Sequence, residues 1–188
     1  MREDNFIMNS NYDMQETTDE KSYYETLIEK LIDEYKDAIF NLLYRMTSNY
    51  DDSLDLMQET FINAYRSLPN FRKESSYKTW LFKIAYNLAL RHKKKWKFWK
   101  FNKSINLTDL QSNCSNQEDS ISNSQLYENI QIAISKLPAD QKAIILLREI
   151  EELSYDEIAK IVNIPVGTVK SRLSRARSLL KTLLKIND

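Results

Sequence analysis

One glycine and three prolines are all that 188 residues hold of the two residue types best suited to tight turns. An all-β chain turns every few residues and needs both types in quantity, so this sequence reads as helical. Pro69 opens a loop, while Pro138 and Pro165 stand at positions that suit the first turn of a helix. No run of about 18 apolar residues occurs, so nothing reads as a membrane span. The N-terminus is acidic and polar, without the basic flank and apolar stretch of a secretory signal. Cys114 stands alone among Ser, Asn and Gln, and can form neither an internal disulfide nor a cysteine zinc cluster. A reducing cytoplasm is the expected compartment.

Apolar spacing divides the chain. Residues 1–21 lack periodicity and read as a disordered leader. From Tyr23 a helical pattern begins, with Leu27, Leu31, Tyr35, Ile39, Leu42 and Met46 on one face. Ser48, Asn49, Asp51 and Asp52 interrupt it and can cap a second helix, whose Leu54, Met57, Phe61 and Tyr65 form one side. A third helix is expected from Tyr77, burying Trp80, Leu81, Ile84, Leu88 and Leu90 and ending in the cationic run Arg91–Lys95. These elements make a first domain over 22–100. Residues 101–124 are rich in Ser, Asn and Gln and read as a flexible linker. With the Trp96–Phe101 patch before it, the stretch 96–124 spans at most about 90 Å, and two turns of B-DNA cover roughly 70 Å. The second domain occupies 125–188. The predicted fold is therefore all-α, with two helical domains.

The formal net charge of zero hides segregation. Residues 1–60 hold 5 Lys/Arg against 15 Asp/Glu, and residues 61–110 hold 12 against 2. Residues 111–165 hold 4 against 9, and 166–188 hold 6 against 1. Two basic zones thus alternate with two acidic ones, as a polyanion ligand on one side and a protein on the other would require. The second basic zone overlaps the run LSYDEIAKIVNIPVGTVKSRLSRAR at 153–177. There Ser154 and Glu157 fit a capping box, Asn163 suits a left-handed turn, and Pro165 opens a helix held by Val166, Val169, Leu173 and Ala176. This is a helix-turn-helix, which presents a cationic helix to the major groove of duplex DNA.

That run, with LPADQKAIILLREIEELS before it, resembles the C-terminal DNA-binding region of extracytoplasmic-function sigma factors, small bacterial initiation subunits of RNA polymerase. The segment DLMQETFINAYRSLPNFRKESSYKTWLFKIAYNLALRHKKK resembles the other module of that family, which binds polymerase and opens the promoter. The family usually carries glycine after the Phe-Arg of the loop. Lys73 stands there in this chain, so the loop is expected to hold a different backbone or to read a different base.

The resemblance implies roles. Gly167 and Thr168 would meet a phosphate of the upstream promoter element. Lys170, Ser171, Ser174 and Arg175 would reach base edges, with Lys170, Ser171 and Arg175 foremost. Arg172 and Arg177 would serve as phosphate or structural partners. On the first module, Phe71 and Asn87 would line a pocket for a flipped base of the downstream element, under the loop Arg72, Ser75 and Ser76. Lys83, Arg91 and Lys93 would hold the backbone at the duplex edge, and His92 would add to that cation row. Asp55, Gln58, Glu59 and Phe61 would dock on the clamp helices of the largest polymerase subunit, and the second module on the flap of the second. An anti-sigma factor, often membrane-anchored, is the expected inhibitor, released by stress. No nucleophile–base pair, glycine-rich phosphate loop or metal set is present, so no enzymatic activity, cofactor, metal or small-molecule substrate is expected. Asp55 and Glu59 share a face but lack the partners that would complete a metal site. Two other readings stay open: a helix-turn-helix regulator that binds its operator unaided as a dimer, and a helical adaptor that contacts only proteins.

Overall fold

Helices in this chain start where a side chain can satisfy the first free backbone N–H groups. Asn49 accepts from the Asp52 amide at 2.9 Å and opens α2, Tyr50–Ser67. The Ser76 hydroxyl accepts from the Thr79 amide at 3.1 Å and opens α3, Tyr77–Asn102. Ser154 and Glu157 form the full capping box of α6, Tyr155–Val162. The structure is a computed structural model that describes residues 4–102 and 129–186, with side chains over 20–93 and 129–184. The other elements are α1, Asp4–Thr47; a 3-10 turn, Leu68–Asn70; α4 over 129–135; α5, Ala139–Glu149; and α7, Val166–Ile186.

In the structure residues 4–21 continue α1. No glycine or proline occurs before Thr47, and extending an existing helix is far easier than nucleating one. At the other end of the first module, α3 takes in residues 101–102. The rest of the expected linker, 103–124, lies outside the described residues.

α1, α2 and α3 pack on one another around Leu31, Ile39, Leu42, Leu43, Leu56, Phe61, Leu81 and Leu88. The buried face of α2 is rotated from the expected one. Ser53, Leu56, Thr60, Phe61 and Ala64 are inside, whereas Leu54, Met57 and Tyr65 flank the core. Small residues at 53, 60 and 64 allow close approach to α1, and the hydroxyls go inside because local carbonyls satisfy them: Thr60 Oγ1 donates to the Leu56 carbonyl at 2.7 Å.

The second module packs α5, α6 and α7 together. Asn163 ends α6 at φ 54°, the left-handed turn expected of it. Val169, Leu173 and Ala176 of α7 are buried, as their spacing indicates. The two modules are not independent, because α3 packs along α6 and α1 against α5. On α3, Lys78, Phe82, Tyr86, Ala89 and Lys93 recur at spacings of three and four. This second stripe is distinct from the Leu81–Ala85–Leu88 stripe of the first core. Lys78 bonds to Glu151, Tyr86 feels Asp140 and Arg172, and Lys93 lies near Lys142. Phe82 is fully buried and Tyr86 is 6% exposed. Covering one such ring contributes about 2 kcal/mol.

Lys142 of α5 sits in this contact and is 4% exposed. Burial, with Lys93 adding repulsion, brings its ammonium down to about 8 from an ordinary 10.5. Below pH 8 both folded and unfolded chains keep the proton, and the folded chain bears the full cost of a buried charge. Between pH 8 and 10.5 the unfolded chain binds the proton that the folded chain has released, so stability rises with pH. Lys142→Met is therefore expected to stabilise the protein at pH 7 by about 1–3 kcal/mol. In denaturant melts that advantage should shrink as pH climbs toward 10.5; a destabilised variant, or a gap independent of pH, would contradict it.

Candidate nucleic-acid interface

On the second module the turn at Asn163 sets α7 across α6, and the core residues of α7 leave one side free. Gly167, Lys170, Ser171, Ser174 and Arg175 are exposed on it, with Thr168 and Arg172 half-buried at its edge. The Lys170 ammonium lies 5.8 Å from the Tyr155 ring, which props the first turn of the row. Ser171 Oγ donates back to the Thr168 carbonyl at 3.0 Å. Two arginines are engaged within the module. Arg172 pairs with Asp140 at 3.1 Å, and Arg177 with Glu149 at 2.6 Å. For Arg177 and Arg172 a structural partner is thus present, as the sequence allowed. Gly167 is the one glycine, yet a Cβ built on it meets nothing within 4 Å. Among the described residues, no packing requires the absence of a side chain there.

On the first module, α3 carries a third stripe. Lys83, Asn87 and Arg91, four residues apart, are all exposed. At the foot of this stripe the loop from Phe71 to Ser76 folds back on the helix. Phe71 packs on Trp80 and Tyr77 with ring centroids 4.7 and 4.9 Å apart, and Tyr77 to Trp80 is 6.4 Å. The three half-buried rings form one aromatic platform beside the cationic stripe. Arg72 and Ser76 are exposed and Ser75 half-buried. The Ser76 hydroxyl is committed to capping α3.

Several expectations need correction. Phe61 is 7% exposed inside the first core, so the exposed acidic face of α2 is Asp55, Gln58 and Glu59 without it. Phe61 follows Thr60 into the core because α2 is rotated. Lys93 belongs to the second stripe of α3 and is half-buried near Lys142 of α5, and Tyr86 of that stripe is buried too. His92 turns toward α2, with Nε2 at 3.6 Å from Asp52 Oδ1, and does not extend the cation row. Asp55 and Glu59 remain on one exposed face, and among the described residues no cluster of three metal-ligating side chains forms.

A chain of polar groups joining the modules is absent from the sequence reading. Thr79 Oγ1 of α3 donates to Glu157 Oε1 at 3.2 Å. The other oxygen of Glu157 accepts from the Ser154 amide at 2.9 Å, holding the cap of α6. These bonds hold the Glu157 carboxyl below the ordinary range, the Ser154 amide first among them. Lys78 Nζ donates to the Glu151 carbonyl at 2.8 Å and lies 3.8 Å from its carboxylate. Lys160 Nζ donates to the Glu74 carbonyl at 3.4 Å, tying the loop itself to α6. The spacing of Lys78, Phe82 and Tyr86 is the one sequence signal that could have revealed this contact.

Residues 31–98 match the Sigma-70 region 2 family, and residues 127–180 match Sigma-70, region 4. The ECF RNA polymerase sigma factor SigW of Bacillus subtilis (strain 168) is 37% identical over 163 residues, covering 82% of this chain and 87% of SigW. The chain belongs to the ECF sigma factor family. It is a sigma factor for transcription initiation. The ECF RNA polymerase sigma-E factor of Haemophilus influenzae is 36% identical over 163 residues, 82% of this chain and 86% of its own. Among solved structures, the sigma factor RpoE in complex with the anti-sigma factor NepR from Bartonella quintana has 27% identity and a TM-score of 0.73, over 85% of this chain and 98% of that one.

Lys73 adopts φ 56°, the left-handed region that favours glycine. The loop of this sigma factor therefore keeps a glycine-type backbone and bears a lysine in it, instead of changing path. A β-carbon in that region costs about 1 kcal/mol. Lys73→Gly should raise the unfolding free energy by up to that amount in urea melts. A loss of stability would show that the exposed Lys73 side chain holds the loop.

Proposed function

We propose that this sigma factor reads a bipartite promoter, binding the upstream element as duplex through α7 and capturing the opened downstream element on α3. The observation that carries the reading is the pair of open stripes: Lys170, Ser171, Ser174 and Arg175 on α7, and Lys83, Asn87 and Arg91 beside the Phe71 platform on α3. The α7 stripe suits base edges, because an Arg or Lys against guanine O6 and N7 discriminates by about 1–3 kcal/mol. Gly167 and Thr168 fit a phosphate contact, where the missing side chain lets a strand approach closely. The α3 stripe suits an unpaired strand, because aromatic rings stack bases and cations track the backbone. Opening a promoter breaks steps worth about 1.4 kcal/mol each, which a chain without nucleotide hydrolysis recovers by binding the single strand. Phe71 and Asn87 line the pocket for the extruded base, with Arg72, Ser75 and Ser76 over it.

Core RNA polymerase is the protein partner. The acidic face Asp55, Gln58 and Glu59 docks on the clamp helices of the largest subunit, and the second module on the flap of the second subunit. An anti-sigma factor is the inhibitor, in keeping with the NepR complex of the related RpoE, and stress relieves it. The protein acts in the cytoplasm and performs no chemistry of its own. Among the described residues no helix is long and apolar enough to cross a membrane.

Purified chain mixed with core polymerase and a promoter library is expected to give specific run-off transcripts; tight operator binding by the chain alone, without transcripts, would favour a self-contained regulator. Arg175→Ala should weaken upstream-element binding roughly 5- to 150-fold and leave core binding intact. Gly167→Ala should keep or slightly raise the melting temperature, since nothing crowds the new methyl group, yet weaken duplex binding; unchanged affinity would remove Gly167 from the interface. Phe71→Ala and Asn87→Ala should spare duplex binding and abolish permanganate reactivity of unpaired thymines, and normal opening in both would dismiss the pocket.

A further inference from the structure

Among the described residues four that are not glycine hold a positive φ: Ser48, Lys73, Glu152 and Asn163. Three of them follow an α-helix, where a left-handed residue lets backbone N–H groups reach carbonyls that the helix leaves free. The Ser48 amide donates to the Tyr44 carbonyl at 2.8 Å after α1, the Leu153 amide to the Leu147 carbonyl at 3.0 Å after α5, and the Ile164 amide to the Ala159 carbonyl at 3.2 Å after α6. Lys73 closes no α-helix. It lies mid-loop, past the Leu68–Asn70 turn and before the Ser76 cap. Among the described residues the amides of Arg72, Lys73 and Glu74 make no comparable backbone bond. A β-carbon in this conformation is rare, and such outliers gather at ligand contacts.

The side chain points to the same conclusion. Lys73 is exposed beside exposed Arg72, and among the described residues its ammonium makes neither an ion pair nor a hydrogen bond. Glu74 is exposed as well. Arg72 and Glu74 cancel formally, so Lys73 alone makes the tip of the loop cationic. The loop is fixed at both ends, by Phe71 against Trp80 and by the Ser76 hydroxyl on the Thr79 amide. It enters α3 at its N-terminal end, and Lys83, Asn87 and Arg91 climb away from that end. A strand stacked on the Phe71 platform therefore meets the α3 cations on one side and the loop tip on the other. An ammonium on a flexible stem is a point charge without the planar fork that matches a base edge. It suits a phosphate.

We propose that Lys73 grips a phosphate of the unpaired strand, on the side of the platform away from Lys83 and Arg91. The captured base is then flanked by a held phosphate on each side. This rests on the bipartite reading above and adds to it a contact that binds without reading sequence.

The test is binding of the sigma factor–core polymerase complex to a promoter fork whose downstream element is single-stranded. Lys73→Gln keeps the stem and the β-carbon and removes the charge. It should weaken binding by one factor whichever base occupies each unpaired position. The slope of log affinity against log salt should fall by about 0.7, the value for one phosphate of a single strand. The loss should thus be roughly 2- to 3-fold larger at about 50 mM salt than at about 200 mM. Lys73→Arg should restore the slope, and a paired probe carrying only the upstream element should bind both variants normally. An unchanged slope overturns the proposal, as does a loss confined to one base or an equal loss on the paired probe. Phe71→Ala on the same fork separates the two levels. If it weakens binding and Lys73→Gln does not, only the Lys73 contact fails; if it binds normally, the strand platform and the bipartite reading fail.

Discussion

A helix with about 3.6 residues per turn offers three separable stripes, and α3 uses all of them. Leu81, Ala85 and Leu88 complete the core of the first module. Lys78, Phe82, Tyr86 and Ala89 meet the second module. Lys83, Asn87 and Arg91 stay in water. Burying two of three stripes fixes the azimuth of the helix from both sides, so the exposed row faces one direction and the Phe71 loop has a firm base. The same burial joins α3 and its exposed row to the helix-turn-helix module.

Scarcity of glycine shapes the rest. Ser48, Lys73, Glu152 and Asn163 all take positive φ, and only Asn accepts that region easily. The lone glycine is spent inside a helix, at 167, where no turn needs it and no neighbour crowds it. Among the described residues nothing requires glycine there, which is why the proposed phosphate contact includes it. Lys73 makes the complementary case: the loop geometry persists although the residue best suited to it is gone.

Much of this was legible in the residues. The capping box at Ser154, the left-handed Asn163, the buried row of α7 and the start of α3 follow from local chemistry, which short sequence windows contain. The rotation of α2 was not legible, because Ser53 and Thr60 look like surface residues until local acceptors satisfy them. The second buried stripe of α3 was hidden for another reason. Lys78 and Lys93 bracket it with charges, and its covering surface comes from residues about 50 to 90 positions away in sequence. Phe61, His92 and Lys93 were assigned by motif and moved by packing.

The double burial of α3 is the claim most open to direct attack. Hydroxyl-radical footprinting of the intact free chain, read by mass spectrometry, compares side chains within one sample. Phe82 and Tyr86 should resist oxidation as Leu81 does, while Tyr23 and Tyr50, 58% and 60% exposed, are modified readily. Oxidation of Phe82 and Tyr86 at the rate of Tyr50 would mean that the two modules stand apart in solution, and the account would fail.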